Sequence, residues 1–200
     1  MSEETYQRFV ERYESDELPW DDELPPPEVI EIVPLLKPGR ALDLGCGYGR
    51  TSIYVAKHGW QGDGVDFVPA AVDGAKRRAA AAGVADRVNF YEGSASSPNM
   101  LSGPYDLAVD IGCMHSFPLE QLIEYRDSLK RLLSSGAKYL LFVHLRDEHL
   151  EEGGRPHGII DGQVESLFSD DFSLDRVEFG STQVEDRPAW RSAWFWFTRN

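Results

Sequence analysis

The chain has 200 residues and a formal net charge of −14, from 34 acidic and 20 basic side chains. This length fits one domain with a sizeable core. The acidic balance argues against a general nucleic-acid binder, which needs a basic face, and against docking on an anionic membrane. No stretch approaches the ~20 apolar residues of a membrane span, and the N-terminus lacks the basic and apolar regions of a secretion signal. We therefore expect a cytoplasmic protein with neither nucleic acid nor membrane as a partner.

The N-terminal region combines a short helix with an acidic, proline-rich arm. Residues 4–14 place their apolar side chains at helical spacing. Residues 15–27 are too rich in proline for a long helix or an inner strand. Trp20, in the middle of this arm, either plugs the arm onto the core or forms an aromatic wall over a ligand. We expect residues 1–27 to cover the active site of a single domain that spans residues 28–200.

A strand, a glycine turn and a helix follow one another within residues 40–59. The apolar run 41–44 predicts a buried strand, and residues 51–57 predict a helix. Three glycines make the turn between them: Gly45, Gly47 and Gly49. Because they lack a Cβ, the backbone can adopt positive φ and approach a ligand closely. The helix N-terminus behind them offers free N–H groups.

The spacing of these glycines separates two kinds of ligand. A dinucleotide fingerprint reads G-x-G-x-x-G, whereas the third glycine here comes one residue earlier. Asp43 stands two residues before the first glycine. Its carboxylate would repel a pyrophosphate and suits a ligand that carries an ammonium group. An ordinary strand–glycine–helix turn of an α/β protein is the alternative.

A second acid ends the next predicted strand. Residues 62–65 form this strand, and Asp66 and Phe67 follow it. One helix and one loop separate Asp66 from Asp43, so both acids are expected at the same edge of a parallel sheet. Asp66 could accept two hydrogen bonds from vicinal ribose hydroxyls, and Phe67 could pack on a purine. The alternative for Asp66 is an N-cap of the helix that begins at residues 68–69.

The remaining elements alternate until the C-terminus. Helices are predicted at residues 27–36, 69–82, 119–133 and 163–168, and strands at residues 87–91, 105–111, 138–145, 172–179 and 191–198. The last two strands form a hairpin, so the final strand is expected to run antiparallel. Seven strands with intervening helices predict an α/β protein, a three-layer α/β/α Rossmann-like sandwich around a mostly parallel sheet.

Polar groups follow the strand at residues 105–111. A histidine side chain titrates near neutrality in general, so His115 could take a proton from a nucleophile. The alternative is a partly buried histidine that caps a loop. Asp110 either orients a substrate or hydrogen-bonds the turn. Residues 146–162 lack periodicity, which is typical of a lid or a binding loop. The histidines and acids of this loop fit no metal-ligand spacing, so no metal is expected.

The segment Asp43-Leu44-Gly45-Cys46-Gly47-Tyr48-Gly49 resembles the first motif of the class I S-adenosylmethionine (SAM)-dependent methyltransferases. This resemblance extends over nearly the whole chain. It implies the strand order 3-2-1-4-5-7-6 with strand 7 antiparallel, SAM as methyl donor and S-adenosylhomocysteine (SAH) as product. Pro19-Trp20-Asp21, the loop of residues 153–158 and the short final hairpin are similar to the thiopurine and tellurite-resistance branch, which acts on small molecules.

The resemblance also implies roles for individual residues. Asp43 would meet the methionine ammonium, the glycine turn would pass under the methionine and ribose, and Asp66 would hold the ribose hydroxyls. Ser94 stands where the family often has an aspartate that meets the adenine. The implied cofactor-binding residues are Trp20, Asp43, Gly45, Cys46, Gly47, Gly49, Asp66, Phe67, Ser94, Ala95, Asp110 and Ile111. The catalytic candidates are Asp110 and His115.

Three functions remain open at this point. The first is methyl transfer to a small-molecule acceptor of thiol, metalloid or hydroxyl type. Such a transfer is an in-line displacement in which alignment and desolvation supply much of the catalysis, and a base is optional when the acceptor is already an anion. The second is a catalytically silent SAM-binding protein, and the third is a dinucleotide-binding Rossmann protein. A monomer is the default expectation, with a dimer possible.

Overall fold

The computed structural model describes residues 3–15, 18–146, 158–183 and 189–200. Its helices are α1 (Glu3–Ser15), α2 (Pro27–Ile32), α3 (Arg50–Lys57), α4 (Pro69–Ala81), α5 (Leu119–Leu132) and α6 (Gln163–Phe168), with short 3-10 turns at Val33–Leu35 and Met114–Ser116. Its strands are β1 (Arg40–Leu44), β2 (Gln61–Asp66), β3 (Val88–Glu92), β4 (Tyr105–Ile111), β5 (Leu133–Arg146), β6 (Ile159–Ile160), β7 (Phe172–Thr182) and β8 (Trp190–Arg199). None of the described helices is long and apolar enough to cross a membrane.

The strands form one sheet in the order β3-β2-β1-β4-β5-β8-β7. Strands β1 to β5 pair in parallel, and β8 lies antiparallel to both β5 and β7. This order is the predicted one, with β8 as the predicted strand 7 and β7 as the predicted strand 6. Because β1, β2 and β4 are parallel neighbours, their carboxyl ends meet at one edge of the sheet.

Helices cover both faces of the sheet, which confirms the three-layer prediction. One face packs on α5 and α6 through buried side chains such as Tyr139 and Phe168. The other face packs on α2 and α3 around Val29, Val55 and Trp60, and α4 continues that layer over β2 and β3. Strands buried on both faces need near-continuous apolar runs, as β5 has.

Strand β5 begins earlier than the sequence predicts. We expected residues 134–136 to end the preceding helix and the strand to start at residue 138, whereas it starts at Leu133. Leu133 is buried and pairs with Tyr105, and the Ser134 hydroxyl donates to the Tyr105 carbonyl at 3.1 Å. An irregularity in the register of β4 absorbs the offset. The turn-like residues thus extend the strand, because a long-range pairing overrides their local preference.

A second difference is an eighth strand within the segment that we expected to be irregular. Ile159 and Ile160 form β6, which pairs in parallel with Leu145 and Arg146 at the end of β5. Two residues are too short for a strand pattern to be visible in the sequence. The predictions for residues 147–157, including their histidines, lie outside the described residues.

Helix α1 packs over the start of α4. Tyr13 contacts Val68 and Ala71 in a small apolar cluster. The arm after α1 also contacts α4, because Arg78 of α4 donates two hydrogen bonds to Asp21 of the arm, at 2.8 and 2.6 Å. The N-terminal region therefore lies beside the loops that follow β1 and β2.

Candidate active site

The three glycines of the turn after β1 all adopt positive φ, at 73°, 53° and 78° for Gly45, Gly47 and Gly49. A Cβ on Gly45 would lie 2.7 Å from the Cβ of Cys113, and one on Gly49 would lie 2.8 Å from the ring of Phe90. Both glycines are therefore required by backbone conformation and by packing within the protein. Gly45 also places the turn directly against the loop that follows β4.

Asp43 holds the helix that follows the turn. Its Oδ2 accepts hydrogen bonds from the Ser52 backbone N–H at 3.1 Å and from the Ser52 hydroxyl at 2.7 Å. Burial raises the pKa of Asp43 to about 6, and the two bonds from Ser52 and the charge of Arg50 act in the opposite direction. The sequence analysis missed Ser52, whose role depends on the turn geometry.

Asp66 closes the turn from the neighbouring strand. Its Oδ2 accepts a hydrogen bond from the Gly47 backbone N–H at 3.0 Å, and its Oδ1 accepts one from the Val68 N–H at 2.9 Å. Burial raises its pKa against these backbone bonds. Val68, not Asp66, is the N-cap residue of α4, and the helix has no side-chain capping bond. Asp66 instead holds the N–H of the cap residue from two positions before it. A carboxylate has about four acceptor positions, so these two bonds leave room for ribose hydroxyls as well.

Asp110 lies at the end of β4 and has no exposed surface. Its carboxylate accepts hydrogen bonds from the backbone N–H groups of Cys113, at 2.7 Å, and Met114, at 3.1 Å, and from the Tyr125 hydroxyl, at 2.7 Å. Burial raises its pKa to about 7. This geometry matches the alternative in which Asp110 hydrogen-bonds the turn.

These three acids lie close enough for their charges to interact. The charge of Asp66 raises the pKa of Asp43, and the charge of Asp43 raises the pKa of Asp110, each as a smaller contribution than burial. Burying like charges together is costly unless a cation accompanies them. The edge of the sheet at the glycine turn is therefore suited to a cationic ligand.

His115 lies in the loop after β4, beside the end of β5. Its Nδ1 accepts a hydrogen bond from the backbone N–H of His144 at 3.3 Å, and the two imidazole rings meet edge to face at 4.8 Å. A nitrogen that accepts this bond carries no proton, so in neutral His115 the proton is on Nε2. Proton uptake at Nδ1 would break the contact with β5.

Comparison with known proteins supports one of the three open functions. A family model described as a methyltransferase domain matches residues 41–136. The 2-heptyl-1-hydroxyquinolin-4(1H)-one methyltransferase of Mycobacteroides abscessus is 29% identical over 183 residues, which is 88% of this chain and 80% of that protein. The protein is a SAM-dependent methyltransferase.

Solved structures show the same fold. The 1,6-didemethyltoxoflavin-N1-methyltransferase of Burkholderia thailandensis, solved with SAH, aligns with a TM-score of 0.75 at 19% identity over 100% of this chain and 91% of that one. TehB of Haemophilus influenzae aligns with a TM-score of 0.75 at 13% identity over 86% of this chain and 62% of that one. A dinucleotide-binding function, left open by the sequence, has no support among these findings.

The turn of the methyltransferase fits SAM chemically. SAM carries an ammonium and a sulfonium, and the buried acids Asp43, Asp66 and Asp110 surround the turn with negative charge. Gly47 differs from the other two glycines, because the direction of its missing Cβ meets, among the described residues, only the Tyr13 hydroxyl, at 3.1 Å. The middle of the turn therefore faces open space in which a ligand can lie.

The other predicted residues of the methyltransferase lie around this turn in different settings. The hydroxyl of Ser94 is hydrogen-bonded to that of Ser96 at 2.8 Å, and Ala95 is buried in the core. The Cys46 side chain points into the layer of α3 and α4, which leaves only its backbone on the turn. Ile111 is half-buried at the end of β4. Phe67 packs against α1, with its ring 5.4 Å from that of Phe9.

Trp20 lies on α1. Its ring is 5.9 Å from Phe9 and 6.4 Å from Tyr13, and the guanidinium of Arg12 lies over it at 5.2 Å. These contacts match the alternative in which Trp20 plugs the arm onto the core. Tyr13, which lies in the amphipathic helix predicted at residues 4–14, reaches the glycine turn of the methyltransferase. Its position on α1 predicts burial but not which element it meets.

Proposed function

We propose that the methyltransferase transfers the methyl group of SAM to a hydroxyl oxygen on a small planar aromatic acceptor. The relative that aligns over most of the chain carries this proposal, because its name specifies a hydroxyquinolone as the acceptor. Of the three acceptor types that the sequence left open, the relative favours the hydroxyl. A half-buried aromatic surface beside the glycine turn supports the aromatic part of the proposal.

This aromatic surface consists of Phe142 on β5 and Trp194 on β8, which pair across the two strands with ring centroids 5.1 Å apart. The turn after β4 connects it to the donor site. A Cβ on Gly112 would lie 3.8 Å from the Phe142 ring, and the next residue, Cys113, packs on Gly45 of the glycine turn. An aromatic ring stacked here would lie close to the donor, since two adjacent residues of the loop contact the two surfaces.

Donor binding follows from the acids at the turn. We assign Asp43 to the ammonium of SAM and Asp66 to the ribose hydroxyls, with the backbone of Gly45, Cys46, Gly47 and Gly49 beneath the ligand. Phe67, Ser94, Ala95 and Ile111 border the adenine and the reacting end. When bound, SAM supplies a methyl group activated by its sulfonium. The chain's contribution is to hold donor and acceptor in line and exclude water.

Asp110 positions the loop after β4 rather than touching the acceptor, because it is fully buried and hydrogen-bonded to that loop. His115 binds β5 through Nδ1, so it serves as a poor base in this conformation. We therefore expect the enzyme to favour acceptors whose hydroxyl is acidic enough to react as an oxyanion. The pH dependence of kcat/KM should then follow the pKa of the acceptor.

The proposal is tested by incubating the purified protein with SAM and 2-heptyl-1-hydroxyquinolin-4(1H)-one. We expect SAH and a product heavier by one CH2 group, and no product from 2-heptylquinolin-4(1H)-one, which lacks the N-hydroxyl. Phe142→Ala should raise KM for the acceptor while leaving SAH affinity unchanged. Methylation of thiols or metalloid anions but of no aromatic hydroxyl would overturn the acceptor assignment, and binding of SAH without any turnover would favour the catalytically silent alternative.

Broader expectations accompany this function. Helix α1 and the arm, residues 1–27, are proposed to cover the donor site of the single domain at residues 28–200. The packing of Tyr13 at the glycine turn supports this cover. A cytoplasmic, monomeric enzyme without a metal remains our working expectation. Its size by sedimentation and its activity in the presence of a chelator test these points.

A further inference from the structure

Tyr13 of α1 meets the glycine turn at its one open point. Its hydroxyl lies 3.1 Å from the Cβ position of Gly47, on the side that the turn leaves free among the described residues. A ligand that passes over Gly47 must therefore also pass the phenol. Tyr13 is only 7% exposed, so its hydroxyl faces the interior of the protein.

The ring of Tyr13 is held firmly in this position. It meets the Tyr48 ring edge to face at 5.2 Å. Tyr48 in turn packs on Gly74 of α4, where a Cβ would lie 2.3 Å from its ring, and the Arg78 guanidinium covers it at 4.4 Å. Trp20 packs on Tyr13 from the arm. This packing fixes the direction of the Tyr13 hydroxyl before a ligand binds. The entropic cost of a hydrogen bond between the hydroxyl and the ligand is therefore lower.

The hydroxyl can act only as a neutral group. Burial, and then the negative charge of Asp66, raise the pKa of Tyr13 well above its usual value. The phenol therefore keeps its proton and can donate a hydrogen bond. This property matters because Asp43, Asp66 and Asp110 give the surroundings of the turn a negative charge.

The donor carries a carboxylate as well as its cationic groups. Asp43, Asp66 and Asp110 suit the ammonium and the sulfonium, but each of them repels the carboxylate. Arg50 could offset this charge, but its guanidinium is paired with Asp22 of the arm at 3.2 Å. We propose that the Tyr13 hydroxyl donates a hydrogen bond to the carboxylate of SAM and SAH, and that α1 is thereby a part of the donor site.

The test is calorimetric titration of wild type and Tyr13→Phe with two ligands. One ligand is SAH, and the other is its analogue in which hydrogen replaces the carboxylate while the ammonium stays. We expect Tyr13→Phe to weaken SAH about tenfold, as for a lost hydrogen bond to a charged group, and to change the affinity of the analogue by less than about twofold. Tyr54→Phe is the matched control, because its hydroxyl lies on α3 against the Ile30 carbonyl, and it should bind both ligands as wild type does.

Equal weakening of both ligands by Tyr13→Phe would overturn the assignment, since it would show that the phenol acts by closing the cover. Unchanged SAH affinity would overturn it as well. The inference rests on the donor identity within the proposed function but not on the acceptor. Because the titration contains no acceptor, a wrong acceptor class leaves its result unchanged, and the two failures are distinguishable.

Discussion

The hydroxyl of Tyr125 donates a 2.7 Å hydrogen bond to Oδ2 of Asp110, and it also contacts the hydroxyl of Tyr139 at 2.9 Å. The pair joins α5 to the end of β4 in a fully buried environment. Asp110 holds the backbone of Cys113, which packs on Gly45. A buried chain of polar contacts therefore runs from α5 to the glycine turn, and it fixes one wall of the donor site from behind.

We expect Tyr125→Phe to lower the free energy of unfolding by about 1–3 kcal/mol, because Asp110 loses a partner that no water replaces. Chemical denaturation at pH 7.5 measures the effect. Tyr54→Phe, whose hydroxyl makes only a 3.5 Å contact, should cost less than about 0.5 kcal/mol. Equal decreases in the free energy of unfolding of the two variants would show that the hydrogen bond from Tyr125 to Asp110 does not stabilise the protein.

Asp110 should also make stability depend on pH. Its pKa is raised to about 7 in the folded protein, while the unfolded chain releases the same proton near pH 4. The folded state therefore binds more protons between these values, and this contribution to stability is lost as the pH rises toward 7. Asp43, with a pKa raised to about 6, acts in the same direction.

We expect Asp110→Asn to be less sensitive to this change, because the amide does not titrate. The measurement is the difference in unfolding free energy between pH 5 and pH 7.5, by urea denaturation of wild type and variant. A smaller decrease in the variant is the expected outcome. An identical decrease in both proteins would mean that Asp110 is ionised throughout this range.

Deoxy ligands distinguish two roles of Asp66. One is binding the ribose, and the other is accepting hydrogen bonds from the glycine turn and the start of α4. If Asp66 binds the ribose, wild type should prefer 5′-methylthioadenosine over its 2′-deoxy analogue by about tenfold, and Asp66→Asn should lose most of this preference. Calorimetric titration gives all four affinities. Should Asp66→Asn weaken both ligands equally and keep the preference, the carboxylate serves the turn alone.

The glycine turn offers a direct test of its packing. Gly45→Ala introduces a Cβ that meets Cys113 at 2.7 Å, at a φ of 73°. Gly83→Ala is the matched control, since Gly83 has a φ of 71° and no atom within 4 Å of the new Cβ among the described residues. We expect the control to cost about 1 kcal/mol from backbone strain alone, and Gly45→Ala to cost about 1–3 kcal/mol more in thermal or chemical unfolding. Similar costs at both sites would show that Cys113 moves aside freely.

The glycine turn could be predicted from local residues alone. The strand order followed from the resemblance to class I methyltransferases, because local patterns predict individual strands but not which strands are neighbours. Three closely spaced glycines indicate the turn, and apolar runs of ordinary length indicate the parallel strands. The start of β5 at Leu133 could not be predicted, since its residues favour a turn and only the pairing with Tyr105 makes them a strand. Strand β6 was not predicted because two residues are too few to show the alternation of a strand.

At the candidate site too, local patterns predict some residues, while the contacts of others depend on tertiary packing. Asp43 and Asp66 could be predicted as site residues because each lies at the end of a predicted strand, next to the glycine turn or one helix and one loop after it. The contacts of Tyr13 and Tyr125 depend on how α1 and α5 dock, which no local pattern encodes. The Nδ1 contact of His115 with β5 also arises from tertiary packing, and it changes the chemistry that the histidine can offer.

Calorimetric titration with SAH, in parallel with NADH, tests the central claim most directly. We expect SAH to bind at one site per chain, Asp43→Asn and Asp66→Asn to weaken this binding, and NADH to give no heat of binding. Binding of NADH in place of SAH, or no binding of either, would contradict the reading of the glycine turn and every role that depends on it.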